Sequence, residues 1–219
     1  MSEILKILRE YRGDFIIGIV VTLKMTILIW CIGITLGILL GILSSRFPKI
    51  VGVPTKILTF LFGGIPVLVF LYWLHYPAQT LMGIQMDGFI TTVFTLASLN
   101  TFLVAEQVRN SVDSFPKEYI LSAEVCGLTP IQIIKQIQIP IIIRQILPSV
   151  LLIQVVMMHS TLFGSLISVD EIFRIASRVN SEVYKPVEVY STLALFFLAI
   201  SLPITGLAYI LKRKYSFIK

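Results

Sequence analysis

The chain has 219 residues, of which 56% are hydrophobic and only 14% charged, and its mean hydropathy is +0.91. A soluble domain carries roughly 25% charged residues, so this composition excludes a water-soluble globular protein and points to one embedded in a bilayer. The net charge of +6 is then read as membrane orientation and not as a nucleic-acid footprint.

Residues 1–14 are charged, with Ile4, Leu5, Ile7 and Leu8 set between the charges, a pattern suited to a segment lying along membrane lipid at the surface. The apolar run behind it is too long for the core of a signal peptide, so the segment is expected to remain in the mature chain. Five windows free of Asp, Glu, Lys and Arg follow: Met25–Ser45, Ile57–Met86, Gly88–Ala105, Gln145–Val169 and Val189–Leu211. Each is long enough to cross hydrocarbon as a helix, so residues 15–219 are expected to form one all-α transmembrane unit of about five spans. The first span is expected to begin near Phe15. Gly33, Gly37 and Gly41 recur every four residues, a small-residue stripe that packs one membrane helix on another. Gly63, Gly64 and Pro66 interrupt the second span, either as a broken helix lining a solute path or as a packing kink.

An odd number of spans puts the termini on opposite sides. With the C-terminus in the cytoplasm, eleven Lys and Arg fall inside and six outside, Lys24 being counted with the first span. The bias predicts an external N-terminus and a cytoplasmic C-terminus. The two cysteines, Cys31 in a span and Cys126 in a polar loop, form neither a disulfide framework nor a zinc pattern, and no metal site is expected.

The polar loop, residues 109–144, lies between the third and fourth spans. Ser114 is expected to cap a helix with Pro116 in its first turn, and Phe115, Tyr119, Ala123 and Cys126 recur along one face. Gly127 ends that helix as a left-handed cap. Thr129, Pro130 and Gln132 form a second start signal, a capping box with proline at the first position. Ile131, Ile134 and Ile137 are expected to form the apolar face of this second helix, and Pro140, thirteen residues after Gly127, to stop it. Two short helices at a sharp turn also suit a DNA-binding helix-turn-helix. However, four cations against three carboxylates leave no basic recognition face, so no nucleic acid is expected. The remaining choices are a partner surface or a loop folded on its own membrane domain.

The run from Phe115 to Thr129, continued by Ile137, Gln138, Ile139 and Pro140, resembles the coupling loop of bacterial ATP-binding cassette (ABC) importer permeases, most of all the polar amino acid branch. Gly18, Thr22 and Leu23 resemble the opening of that family's first span, Gly64-Ile65-Pro66 its G-T-P element, and Ala105-Glu106 with Arg109 its A-E-x-x-R. Pro186, Glu188 and Tyr190 resemble its P-x-E-x-Y. The chain departs from the pattern at Leu121 and Ser122, where the family has an acid and an alanine, and at His159-Ser160-Thr161, where it has another polar element.

The resemblance implies the fold of a type I importer permease in the bacterial inner membrane. It also implies a second permease subunit, identical or related, two ATPases that bind ATP and magnesium, and an extracytoplasmic solute-binding protein. No cofactor is implied for this chain, which has no Walker-type loop. The same resemblance assigns Pro116, Lys117, Tyr119, Ala123, Gly127, Leu128, Ile137 and Pro140 to ATPase coupling. Gly64, Glu106, Arg109, His159, Ser160 and Thr161 become candidates for the solute path.

Each candidate also has a plainer reading. Glu106 either meets a cationic group of a solute or pairs with Arg109 one turn away. His159 either faces the cavity or is hydrogen-bonded between helices. Asp170, Glu171, Arg174, Arg178, Glu182 and Glu188 form either a docking surface for the binding protein or a solvated loop. An intramembrane hydrolase is excluded by residue type, since His75 and His159 are the only histidines and no H-E-x-x-H or G-x-S-x-G occurs. An autonomous secondary transporter or channel remains the alternative, against which stand the missing internal repeat and the large polar loop.

Overall fold

The computed structural model describes residues 2–215. Met1 and residues 216–219, including Lys219 of the basic C-terminus, lie outside them. A short amphipathic helix, α1 (Ser2–Glu10), precedes the long helix α2 (Arg12–Arg46). The helix thus starts three residues before Phe15, taking in Arg12 and Asp14 ahead of the apolar stretch. A π-helical turn, Pro48–Gly52, leads into α3 (Val53–Gly64). Next come α4 (Val67–Trp73), a second π-helical turn and α5 (Gln79–Met82).

Helix α6 (Gly88–Asp113) begins at Asp87, whose carboxylate accepts from the Ile90 amide. The loop contributes α7 (Lys117–Val125) and α8 (Pro130–Gln132), and α9 (Ile139–Ser160) follows. Helices α10 (Ile172–Val183) and α11 (Pro186–Tyr215) complete the described residues.

Among the described residues, four helical runs are long and apolar enough to cross a membrane: Arg12–Arg46, Gly88–Asp113, Pro130–Ile167 and Pro186–Tyr215. The pair Pro48–Gly64 and Val67–Met82 meets the same criteria together but is bent by 100°. The bend has a local cause. Proline drives the residue before it out of the helical region, and Ile65 accordingly sits at ψ 126° before Pro66 at ψ 133°.

The glycine stripe is the main packing device. A Cβ at Gly37 would stand 2.6 Å from Val104 Cβ, one at Gly41 2.6 Å from Val108 Cβ, and one at Gly33 would overlap the amide of Asn100. Only glycine lets α2 approach α6 so closely, and this matters because lipid supplies no hydrophobic force between helices. Met25 and Ile29 of α2, Leu71 of α4, Leu96 and Leu99 of α6, and Met157 of α9 share the buried core, while Ile27, Leu36 and Leu39 point outward.

The two ends of the bundle are distinct. At one end, Ile7 of α1 packs with Ile175 and Val179 of α10 and Val189 of α11, the Ile172 amide donates to Thr22 Oγ1 of α2 at 3.1 Å, and Lys185 pairs with Glu3. At the other end, Ser45 donates to Asp113 at 2.5 Å and the Arg144 guanidinium lies 6.0 Å from the Tyr215 ring. The polar loop and the C-terminal end of α11 therefore share a side, opposite α1 and α10.

Candidate functional site

The loop starts differently from the sequence expectation. Ser114 ends α6, its amide bonded to Asn110 O, and Pro116 takes the N-cap position of α7 in extended backbone at ψ 125°. Proline fixes φ but carries no amide to be capped, so the serine cap is not used. Phe115 and Ala123 are the buried members of the expected face. Tyr119 and Cys126 are exposed, with the Tyr119 ring 6.0 Å from that of Phe115. Lys117 is exposed.

Gly127 has φ +79°, its amide donates to Glu124 O at 2.9 Å, and the Leu128 amide donates to Ala123 O at 3.1 Å. These two bonds make a Schellman termination. Directly after it the Thr129 hydroxyl accepts from the Gln132 amide, and Gln132 Oε1 accepts from the Thr129 amide at 2.8 Å. The loop is thus two helices joined by a turn whose backbone groups are satisfied from within.

Pro140 does not stop the second helix. Helical structure continues from Pro130 to Ile167, with a π-helical turn over Ile133–Gln138. The Ile139 amide reaches back five residues to Ile134 O. The widened turn accommodates a proline ring that would otherwise crowd the carbonyl four residues earlier. It also shifts the inward face. Ile133 is buried and Ile137 half-buried, while Ile131 and Ile134 are exposed, so the expected three-residue spacing does not survive.

The bend between α3 and α4 opens a cavity of about 370 Å³ lined by Phe62, Gly64, Val67, Leu99, Phe102 and Met157, among others. The rings of Phe62 and Phe102 stack at 5.1 Å. A Cβ at Gly63 or Gly64 would meet nothing within 4 Å, so these glycines keep space open and do not serve close packing.

Glu106 lies one turn beyond Phe102 on α6, and its carboxylate stands 3.8 Å from Arg109 Nη2. Arg109 is buried, and among the described residues nothing accepts from its Nε or Nη1. At the end of α9 the hydroxyls of Ser160 and of Thr161, the next residue, donate to Val156 O and Met158 O, and the exposed His159 ring packs edge-on against Phe197 at 5.7 Å. The structure therefore brings Gly64 to the cavity and Glu106 to Arg109, and turns His159 toward α11. Among the described residues no group of three or more His, Cys, Asp or Glu is placed to hold a metal ion.

Three features escaped sequence reasoning. The aromatic cavity wall joins residues forty positions apart. The side chains of Asn100 and Gln154 bond reciprocally. Glu171, expected on the external surface, is fully buried as the N-cap of α10.

The family model for the binding-protein-dependent transport system inner membrane component matches residues 33–217. The chain belongs to that family. It is a permease subunit of an ABC importer.

The octopine transport system permease protein OccM of Rhizobium meliloti is 30% identical over 192 residues, covering 84% of this chain and 78% of that protein. The histidine/lysine/arginine/ornithine transport system permease protein HisM of Escherichia coli strain K12 is 26% identical over 213 residues, covering 90% of each. Among solved structures, an amino acid ABC transporter crystallised with histidines superposes with a TM-score of 0.82 at 25% identity, covering 94% of this chain and 96% of that one.

Proposed function

We propose that this permease carries an amino acid or a close relative inward. It would work with a second permease subunit, two ATPases that bind ATP and magnesium and dock on residues 109–144, and an external solute-binding protein. The amino acid reading draws on the names of the similar permeases and on the solved amino acid transporter.

The observation that carries the coupling role is the exposed apolar surface of the loop. Phe115, Ala123 and Ile133 are its buried apolar anchors among the described residues, whereas Leu121, Val125 and Ile131 are 60%, 89% and 65% exposed. Large apolar side chains on a capped two-helix knob, at the bundle end that also holds the basic last turn of α11, suit insertion into a groove of a partner. Closure of the ATPase pair would then move the knob and rock the spans between two arrangements. Pro116, Lys117, Tyr119, Leu128, Ile137 and Pro140 shape that knob, and Gly127 sets its turn.

In the solute path we place Gly64 on the cavity wall and Glu106 at its cytoplasmic rim. The unsatisfied guanidinium nitrogens of Arg109 favour contact with a carboxylate. Ser160 and Thr161 lie one turn beyond Met157 toward the other end, and His159 lies beside them facing α11. Asp170, Arg174 and Arg178, joined by ion pairs at 3.0 and 2.8 Å, present the external surface to the binding protein.

The decisive experiment is solute uptake by the purified complex in liposomes. Uptake is expected to vanish when ATP or the ATPase is omitted. Uptake by this chain alone would overturn the proposal in favour of an autonomous transporter.

A further inference from the structure

A closed polar link joins the three helices α2, α6 and α9 in the middle of the bundle. Asn100 Nδ2 donates to Gln154 Oε1 at 2.9 Å, and Gln154 Nε2 donates back to Asn100 Oδ1 at 3.0 Å. Asn100 Nδ2 also donates to the Ile29 carbonyl at 3.1 Å, and Trp30 Nε1 donates to the Gln154 carbonyl at 3.0 Å. Both amide side chains are buried, at 0% and 2% exposure. Gly33 is the residue that admits the Asn100 amide against α2, since any Cβ there would overlap it.

The position of this link in the machine is informative. Gln154 sits on the helical run Pro130–Ile167, which begins in the loop proposed to receive the ATPase. At 1.5 Å per residue, the 24 residues from Pro130 to Gln154 span roughly 36 Å. Leu99 and Phe102 on α6 and Met157 on α9 lie within three residues of the pair in sequence and line the cavity. Apolar contacts such as Val150 with Val104 and Val108 permit sliding along the helix axes. Reciprocal amide bonds do not, because a one-residue shift of α9 along α6 breaks both and strands Asn100 Oδ1, Gln154 Oε1 and Gln154 Nε2 in a buried site, Asn100 Nδ2 alone keeping the Ile29 carbonyl.

We propose that Asn100 and Gln154 are positioning residues for transport. They lock α9 to α6 in one axial register, so that displacement of the loop is delivered to the cavity wall and is not lost as slippage. The inference rests on the importer reading, which is tested first by ATP-dependent uptake through the unaltered complex, using the labelled proteinogenic amino acids as probes.

The test measures uptake and ATP hydrolysis in the same liposomes for the complex carrying Gln154→Leu, Gln154→Asn and the exchange Asn100→Gln with Gln154→Asn. Complex recovery is followed in parallel. The single variants are expected to keep ATP hydrolysis within about twofold while uptake per ATP falls about tenfold, the scale of one strong interhelical hydrogen bond. Gln154→Asn keeps an amide in the membrane but is one methylene too short, so it reports on the link even if Gln154→Leu fails to assemble. The exchange restores the summed length and is expected to recover most of the ratio. An unchanged uptake-to-ATP ratio in the single variants, or a parallel fall of both activities, would overturn the proposal. So would an exchange variant no better than Gln154→Asn.

Discussion

Glu171 illustrates how a single side chain is set by its surroundings. Its two carboxylate oxygens accept from the amides of Phe173 and Arg174 at 2.9 and 2.8 Å, the expected chemistry of an N-cap. Burial nevertheless outweighs those bonds and the nearby Arg174, pushing its pKa from the ordinary 4.5 up to about 7. The folded chain therefore holds a proton that the unfolded chain has released. The contribution of Glu171 to folded stability is greatest below about pH 4.5, falls as pH rises to about 7 and is level above it. Thermal unfolding of the detergent-solubilised complex across this range is expected to show that decline, and Glu171→Gln is expected to flatten it. An unaltered slope in the variant would remove Glu171 as the cause.

At the level of elements, the loop depends on one backbone conformation. Gly127 at φ +79° allows α7 to stop and α8 to start within a few residues. No Cβ there would clash with a neighbour, so the requirement for glycine is conformational and not steric. Gly127→Val would place a β-branched residue in the left-handed region at a cost of about 1–2 kcal/mol, enough to favour another turn and re-aim α7. Membrane content is expected to stay normal while ATP-driven uptake falls at least about tenfold. Normal uptake by that variant would show that the orientation of α7 does not couple to transport. The bend at Ile65–Pro66 works in the opposite sense, because a break within the bilayer is tolerated where it lines a cavity rather than lipid.

For the whole molecule, sidedness is open to a direct test through the two cysteines, both exposed. Cys126 lies in the loop at the end shared with the basic last turn of α11, and Cys31 lies within α2. With a cytoplasmic loop, a membrane-impermeant maleimide should label Cys126 in inside-out vesicles only and leave Cys31 untouched in either orientation. Bound ATPase should protect Cys126. Labelling in right-side-out vesicles would reverse the orientation.

Composition and local pattern were enough for the membrane class, the spans, the left-handed turn at Gly127 and the capping box of Thr129 and Gln132. Each depends on residues within a few positions of one another. The glycine stripe also announced a helix contact, though not its partner. The π-helical turn that carries the helix through Pro140, the burial of Glu171, the cavity behind Gly64 and the Asn100–Gln154 link were decided only when the helices packed. These depend on what a distant segment places opposite each residue. In a bilayer that choice rests on close fit and polar pairing, because burial from lipid into protein gives no general driving force to read along the chain.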